Sequence, residues 1–433
     1  MAPEPDIADT EEMTLPQSRP ADTAVASVPD DKPRRLVELD ALRGVAAASV
    51  VLYHSSIPFS VMYDNTRGDG FTLANVLKYT PLHAIFAGYS AVIVFFVLSG
   101  LVLALPFVNG RGGGYRAFVV KRFFRLWPTY AAAIGFTFVL VAIAHTHTVS
   151  GMSSWFYEKW APPVTAGVIA GHLSLIGAFD NNPYNPVIWS LVHEMRVSLA
   201  FPLIVAATMF LGWKRAIGVA LLLSFLAVLL RSGDTLGNYT ITLKYIPAFI
   251  AGILLAIHWR TLGDFVSRIS GRAAAALGVV ALLTYTWADW ADQNFFPGPI
   301  GELLRNRVSD VVVLTFGAAL IIVLTQRQGR ARSALMSRVP QFLGRISYSL
   351  YLVHVPVLLA VIHLLGSSVD PVLLLPLVWA ISISLADLSQ RFIEVPSHGL
   401  GRRLARHPAI SPPDVGSAPL AVGEPAVVNR PSR

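Results

Sequence analysis

The stretch from Ala84 to Val108 contains no Asp, Glu, Lys or Arg. A run of roughly 20 predominantly apolar residues is what a helix needs to cross a bilayer. Other apolar segments follow along the chain, at 39–57, 129–145, 187–211, 216–231, 239–258, 273–288, 308–325, 346–365 and 371–393. The chain is 54% hydrophobic and 14% charged, whereas a soluble domain has about 25% charged residues. The sequence therefore predicts an all-α, polytopic transmembrane helix bundle of about ten spans in the inner or plasma membrane.

The basic residues predict the orientation of this bundle. They concentrate in short segments between apolar runs: Lys32–Arg35, Arg111–Arg125, Lys214–Arg215, Arg260–Arg272, Arg327–Arg338 and Arg402–Arg406. Cytoplasmic loops carry such an excess of Lys and Arg, so both termini are predicted to be cytoplasmic. The short apolar stretch 166–179 is predicted to be re-entrant or interfacial, because a span there would separate two of these segments. Topology also explains the net charge of +8 without a nucleic-acid partner.

The remaining sequence predicts two tails. Residues 1–35 are rich in Pro, Ala, Asp and Glu and have no apolar region typical of a signal peptide, which predicts a disordered cytoplasmic tail. The membrane domain is predicted over 36–394, and 395–433 is predicted to be a disordered cytoplasmic C-terminal tail. The chain has no cysteine, which excludes thiol catalysis and zinc–thiolate sites. His145 and His147 do not share a helical face, so we predict no metal site.

Two polar residues of the first apolar segment share one helical face. Arg43 and His54 are eleven positions apart, and eleven steps of 100° return to within about 20° of the start, roughly 16 Å along the helix. Asp40 lies one turn before Arg43 and is placed to pair with it. His54 has an alternative interpretation as an interfacial histidine at a helix end.

Further polar residues interrupt the fourth and ninth apolar segments. Glu194 follows Ser190 by four positions, and a buried carboxylate needs a cation or a histidine nearby; the alternative is a structural ion pair with an arginine. Ser347, Tyr351 and His354 follow i, i+4, i+7 spacing, typical of one helical stripe, with Tyr348 about 100° away. Such a stripe lines a polar path or holds helices together by hydrogen bonds.

A basic cluster precedes Pro128. Arg122 and Arg125, at i and i+3, are predicted to share one face of a short interfacial helix. The planar guanidinium suits phosphate groups, and anionic lipid headgroups are the alternative ligand.

Five ordered motifs carry a family resemblance. They are LDALRG followed by the Arg43–His54 spacing, FFVLSG at Phe95–Gly100, KRFFRLWP at Lys121–Pro128, WSLVHE at Trp189–Glu194 and SYSLYLVH at Ser347–His354. Over about residues 36–394 the chain resembles the acyltransferase type-3 family of integral-membrane O-acyltransferases. In particular, it resembles members without a fused esterase-like domain.

The resemblance implies about ten transmembrane helices, a cytoplasmic acyl-CoA donor and a hydroxyl acceptor, commonly on a glycan. It implies that His54 is the catalytic base, with Arg43 as its partner in the motif and Glu194 as a third motif residue. No bound cofactor is implied; acyl-CoA, acetyl-CoA by default, is a substrate. Membrane lipids and a glycan or other hydroxyl acceptor are the expected partners.

These expectations combine into one hypothesis. Arg43, Arg122 and Arg125 hold the donor phosphates, and His54 deprotonates the acceptor hydroxyl while Glu194 orients its imidazole. The remaining polar residues of the motifs are predicted to line a substrate path: Ser99, Tyr348, Tyr351 and His354. The alternative function is a transporter or flippase for a glycan or a lipid-linked intermediate, which would also bury Arg, His and Glu along a polar path.

Overall fold

Helices form all the regular secondary structure that is described for this chain. A computed structural model describes residues 36–64, 73–144, 149–230, 235–287 and 309–406. Within those ranges the extended backbone contributes one isolated bridge, Phe59 to Met152. The predicted N-terminal tail 1–35, the part of the predicted C-terminal tail beyond residue 406, and also His145 and His147, lie outside the described residues. The predicted all-α fold class is confirmed.

The longer helices are numbered here in chain order. They are α1 Val37–Ser56, α2 Gly88–Val108, α3 Tyr115–Ala144, α4 Ala166–Ser174, α5 Ile188–Leu229, α6 Ile246–Ile257, α7 Trp259–Arg268, α8 Gly271–Tyr285, α9 Ser309–Leu324, α10 Arg338–Leu365, α11 Pro371–Ser389 and α12 Val395–Leu404. Shorter helical turns lie at Ser60–Tyr63, Leu73–Tyr79, Pro81–Phe86, Ser154–Glu158, Thr235–Thr240, Ile241–Lys244 and Arg330–Leu335, and a π-helical turn at Gln390–Glu394 joins α11 to α12.

Six of the described helical segments are long and apolar enough to cross a membrane. They are α2, α3, α5, Asn238–Ile257, α10 and the run Pro371–Leu404. Helices α8 and α9 are apolar but shorter. Helix α4 has nine residues, about 13 Å of helix, so the stretch 166–179 is too short to span. The full set of ten spans and the cytoplasmic position of both termini stay predictions.

The predicted fourth and fifth spans correspond to the two helical halves of α5, which a kink separates at Gly212, where φ is 71° and glycine has no steric penalty. Two other predicted boundaries differ from the structure. Helix α3 begins at Tyr115, so the predicted cytoplasmic loop before Pro128 is continuous with the third span. The chain also stays helical beyond 395, where the sequence predicted a tail. Gly401 allows α12 to lie against Phe124 of α3.

Close glycine contacts hold the centre of the bundle. Helix α10 is the most buried of the six apolar helices, with 83% of its apolar stretch inside the molecule, and it packs on α1 and α11. A Cβ on Gly44 would strike the backbone at Gly344, where α1 meets α10. A Cβ on Gly100 would strike the backbone at Phe249, where α2 meets α6. Small residues allow this approach between membrane helices, so the glycines of LDALRG and FFVLSG place α1 and α2 against the core.

Candidate active site

A cavity of about 100 Å³ lies between α1, α2, α3, α5 and α10. We call it the arginine–carboxylate cavity, because its lining includes three arginines and two glutamates. The polar lining residues are Arg43, Ser99, Arg122, Arg125, Ser190, Glu194, Ser347, Tyr348, Tyr351 and Glu394. Phe95, Phe96 and five aliphatic side chains complete the wall. The structure thus brings together residues from all five sequence motifs.

An ion pair forms one wall of the cavity. Glu194 Oε1 accepts a hydrogen bond of 2.8 Å from Ser99 Oγ and pairs with the Arg122 guanidinium. Arg122 Nε donates to Ser198 Oγ at 2.9 Å. The side chains of Arg122 and Glu194 are only 6% and 18% exposed, a depth at which either charge alone would be strongly destabilising. This pair therefore ties α2, α3 and α5 together.

The other two predicted donor-binding arginines occupy different environments. Arg43 is largely buried and lies 3.6 Å from the Asp40 carboxylate, the pairing that their spacing predicted. Arg125 is exposed, although its side chain also lines the cavity. Arg122 and Arg125 do share a helix face, but Arg122 is already neutralised by Glu194. Arg125 is the cavity arginine most open to an incoming anion.

The stripe predicted on α10 is wider in the structure. Ser347 and Tyr351 share the cavity wall, and so does Tyr348, which lies about 100° around the helix from Ser347. Tyr348 donates its hydroxyl hydrogen to the Leu126 carbonyl at 2.7 Å. A helix that is surrounded by several neighbours presents a face wider than a single stripe to the cavity. This explains why Tyr348 lines the cavity as well.

Glu394 is a cavity residue that the sequence interpretation did not identify. It ends the π-helical turn, is 9% exposed and accepts a hydrogen bond of 2.9 Å from Ser349 Oγ. π-Helical turns occur frequently at functional sites. The signal available in the sequence was an acidic residue at the end of an apolar run, a position where an ionisable residue indicates function.

His54 and His354 form a second cluster, which we call the histidine pair. His54 Nδ1 lies 3.2 Å from His354 Nε2, with ring centroids 5.0 Å apart. Each Nδ1 also contacts the carbonyl oxygen four residues earlier in its helix: Val50 O at 2.9 Å for His54 and Leu350 O at 3.0 Å for His354. Packing of α1 against α10 therefore joins two side chains from opposite ends of the sequence.

Tyr351 lies between the two clusters. Its ring lines the cavity and is 6.1 Å from the His354 ring, and its hydroxyl lies 2.7 Å from Ser190 Oγ. The described lining of the cavity contains neither histidine. The hydrogen-bonding side chain beside the His54 imidazole is His354, whereas Glu194 contacts Ser99 and Arg122. The predicted role of Glu194 in orienting His54 therefore has no direct contact to support it.

A buried lysine lies near the histidine pair. The Lys159 side chain has 0% exposure and pairs with Glu158 at 3.7 Å. Its Nζ donates to Asn182 Oδ1 at 3.1 Å. Burial lowers the pKa of Lys159, and Glu158 partly opposes this change. Nζ lies 5.1 Å from the Trp155 ring, which is 6.3 Å from the ring of His54. The sequence did not single out Lys159, because a lone lysine between apolar segments is typical of a loop.

The hydrogen-bond donors that line the cavity suit an anionic ligand. They are arginines and hydroxyl groups, which donate hydrogen bonds to phosphate and carboxylate oxygens. Over the described ranges, no group of three or more His, Asp or Glu residues is arranged to hold a metal ion.

Comparisons of the sequence with known proteins find related chains. The family model of the type-3 acyltransferases, described as an acyltransferase domain, matches residues 36–389. The O-acetyltransferase OatA of Staphylococcus aureus (strain NCTC 8325 / PS 47) is 22% identical over 398 residues, which are 84% of this chain and 57% of that protein. The putative peptidoglycan O-acetyltransferase YrhL of Bacillus subtilis (strain 168) is 25% identical over 391 residues, 86% of this chain and 56% of that protein.

A fungal protein shows a shorter match. Acyltransferase R4 of Phoma sp. (strain ATCC 20986 / MF5453) is 30% identical over 187 residues, 40% of this chain and 38% of that protein. The chain thus spans little more than half the length of the two bacterial relatives. No solved structure matches.

Proposed function

This chain belongs to the acyltransferase type-3 family, and from that premise we propose that it is an integral-membrane O-acyltransferase. The proposed reaction moves an acyl group, acetyl by default, from acyl-CoA to a hydroxyl of a carbohydrate or of a glycosylated or other secondary-metabolite acceptor. The names of the two bacterial relatives, O-acetyltransferase and peptidoglycan O-acetyltransferase, support acetyl as donor group and a glycan as acceptor. The observation that carries the proposal is the arginine-lined cavity with the histidine pair beyond it.

The donor would bind at the exposed arginine. Coenzyme A carries several phosphate groups, and a guanidinium forms paired hydrogen bonds with phosphate oxygens. Arg125 at the exposed edge and Arg43 inside the cavity would take these phosphates, while Arg122 stays engaged with Glu194. Arg116 and Lys121, exposed on the same helix, add positive charge that attracts an anionic donor. By the positive-inside rule this edge is cytoplasmic, the compartment in which the donor is made.

The chemistry would take place at the histidine pair. The slender pantetheine arm would extend from Arg43 past Tyr351 over the roughly 16 Å that separates Arg43 from His54 along α1. His54 would remove the proton of the acceptor hydroxyl as its oxygen attacks the thioester carbonyl, the usual role of a neutral imidazole at pH 7. The carbon–sulfur bond breaks, and the thiolate takes the proton back to leave as a thiol.

A transporter or flippase would use the same buried polar residues differently. It would require an ion gradient and no thioester donor. The cluster of cavity arginines beside a histidine pair, in a chain of an acyltransferase family, favours the enzyme.

Acyl transfer can be tested in the cell and with purified protein. Surface glycans from a deletion strain should be lighter by one acyl unit per modified site than glycans from the parent, as measured by mass spectrometry. Complementation with the wild-type chain should restore that mass, and complementation with His54→Ala should not. Purified protein in proteoliposomes should release free thiol from acetyl-CoA when acceptor is added, also after an uncoupler has collapsed any ion gradient. Absence of thiol release from acetyl-CoA, or loss of activity with the uncoupler, would instead support the transporter.

A further inference from the structure

The histidine pair has only one arrangement of hydrogens when both rings are neutral. His54 Nδ1 is 2.9 Å from the Val50 carbonyl oxygen, and His354 Nδ1 is 3.0 Å from the Leu350 carbonyl oxygen. A carbonyl oxygen only accepts hydrogen bonds. Each Nδ1 must therefore carry its hydrogen, and a neutral ring then has an unprotonated Nε2.

The direction of the contact between the two rings follows from these tautomers. His354 Nε2, which is unprotonated, lies 3.2 Å from His54 Nδ1. The His54 Nδ1–H group is therefore shared between the Val50 carbonyl and His354 Nε2. The Nε2 atom of His54 is left unprotonated, and its lone pair is what a general base uses to accept a proton.

The same geometry decides which ring can take a further proton. A proton on His54 Nε2 leaves every contact of the pair in place, because Nδ1–H still donates to His354. A proton on His354 Nε2 would set two N–H groups against each other at 3.2 Å. The pair therefore accommodates an imidazolium at position 54 and opposes one at position 354.

From this asymmetry we infer that His354 is a positioning residue for His54: it accepts the Nδ1–H hydrogen bond, fixes the base tautomer and stabilises the imidazolium that forms during acyl transfer. His354 itself gains no proton in the cycle. The acceptor proton moves to His54 Nε2 and then to the leaving thiolate, while the His54 Nδ1 hydrogen stays in place. This inference rests on the proposed O-acyltransferase function and assigns to His354 the role that a carboxylate has in a Ser-His-Asp triad.

Another buried histidine shows that the backbone contact alone does not create such a site. His172 Nδ1 also bonds to the carbonyl four residues earlier, Val168 O, at 2.8 Å, and its ring is 1% exposed. Its Nε2, however, is buried without a hydrogen-bond partner. His172 is therefore a matched control for His354: it is equally buried and has the same backbone contact, but its ring neighbours are Phe138, Phe179 and Tyr184 instead of a second imidazole.

The test combines kinetics with ¹⁵N NMR of histidine-labelled protein in nanodiscs. The His54 signals are assigned by their loss in His54→Gln. In the wild type, His54 should be protonated at Nδ1 and unprotonated at Nε2. His354→Leu should lower kcat about tenfold to hundredfold, part of the usual contribution of a general base, with the donor KM unchanged. It should also weaken the hydrogen bond of the His54 Nδ1–H group, which moves its proton resonance upfield.

The conservative variant separates positioning from packing. In His354→Gln the side-chain carbonyl oxygen reaches about as far as Nε2 and accepts the same hydrogen bond, so kcat should return to within about threefold of the wild type. His172→Gln should leave both kcat and the His54 resonances unchanged. An Nε2–H tautomer at His54, or full kcat in His354→Leu, would overturn the inference while the O-acyltransferase function stands. Full turnover in His54→Ala would overturn the inference together with the assignment of His54 as base. Absence of acyl transfer from acetyl-CoA by the wild-type protein would instead overturn the proposed function, whatever the NMR spectra show.

Discussion

The arginine–carboxylate cavity and the histidine pair stabilise polar groups inside the helix bundle by different interactions. The cavity buries charges and neutralises them by pairing, as Arg122 does with Glu194 and Arg43 with Asp40. The histidine pair keeps two rings close by means of hydrogen bonds to backbone carbonyls and to each other. An ion pair suits a structural wall, whereas a neutral imidazole suits proton transfer. In the proposed function, donor binding and acyl transfer are thus separated in space, with Tyr351 between the two clusters.

This separation predicts that the two regions fail in different ways when they are mutated. Loss of the histidine base should abolish turnover and spare both donor binding and folding. Loss of a buried cavity charge should destabilise the protein, and loss of the exposed cavity charge should weaken donor binding alone.

The largest expected effect is on turnover in His54→Ala. Acyl transfer in membranes should fall by about two to four powers of ten, the usual contribution of general base catalysis. Binding of a non-hydrolysable acyl-CoA analogue should persist, because the cavity does not include His54. Abundance in the membrane should be normal, since no charge loses its partner. More than about a tenth of wild-type turnover would contradict the assignment of His54 as base.

The next effect is on stability in Arg122→Met. This change leaves the Glu194 carboxylate buried without its cation, which costs about 3–5 kcal/mol in a buried pair. The midpoint of thermal unfolding in detergent should drop, and membrane abundance should fall with it. The double variant Arg122→Met/Glu194→Leu should recover most of the loss, because apolar residues of similar volume replace the pair. Equal stability of the single and the double variant would show that the ion pair is not a structural wall.

A smaller effect is expected on donor affinity in Arg125→Ala. A hydrogen bond to a charged group contributes about 1.5–3 kcal/mol, so the donor KM should rise by at least about tenfold at unchanged kcat. Arg125→Lys should restore only part of the affinity, because the planar fork is lost. Lys121→Ala is the matched control, since Lys121 is exposed on the same helix but does not line the cavity. If both alanine variants behave alike, the basic face attracts lipid or donor in a general way, without a phosphate site at Arg125.

No effect on turnover is expected for single cysteine substitutions at exposed positions. These variants report which side of the membrane the cavity faces. The chain has no cysteine, so an introduced cysteine is labelled without background. Cysteines that replace Gly113 and Lys214, both exposed, should be protected from an impermeant thiol reagent in intact cells. A cysteine that replaces Ser367, also exposed, should react. Labelling of Gly113 or Lys214 from outside would reverse the orientation or divide the basic loops between the two faces.

The sequence by itself determined the helical class and the approximate position of most helices, because apolar runs bounded by basic segments have few alternatives in a bilayer. It also placed Ser190 with Glu194 and Ser347 with Tyr351, since a helix of fixed period brings these residues to one face. Residues on one helix are related by local geometry alone, and local geometry is what a sequence specifies most directly.

Only the tertiary structure decided which faces meet. His54 and His354 are 300 positions apart, and their contact depends on α1 crossing α10 where Gly44 faces Gly344. Glu194 pairs with Arg122 and not with His54, because α3 continues as a helix through the predicted loop and places Arg122 beside Glu194. Glu394 lines the cavity from its position at the end of a π-helical turn. The period of a helix specifies the direction of each side chain, but the partner in that direction depends on how all the helices pack together.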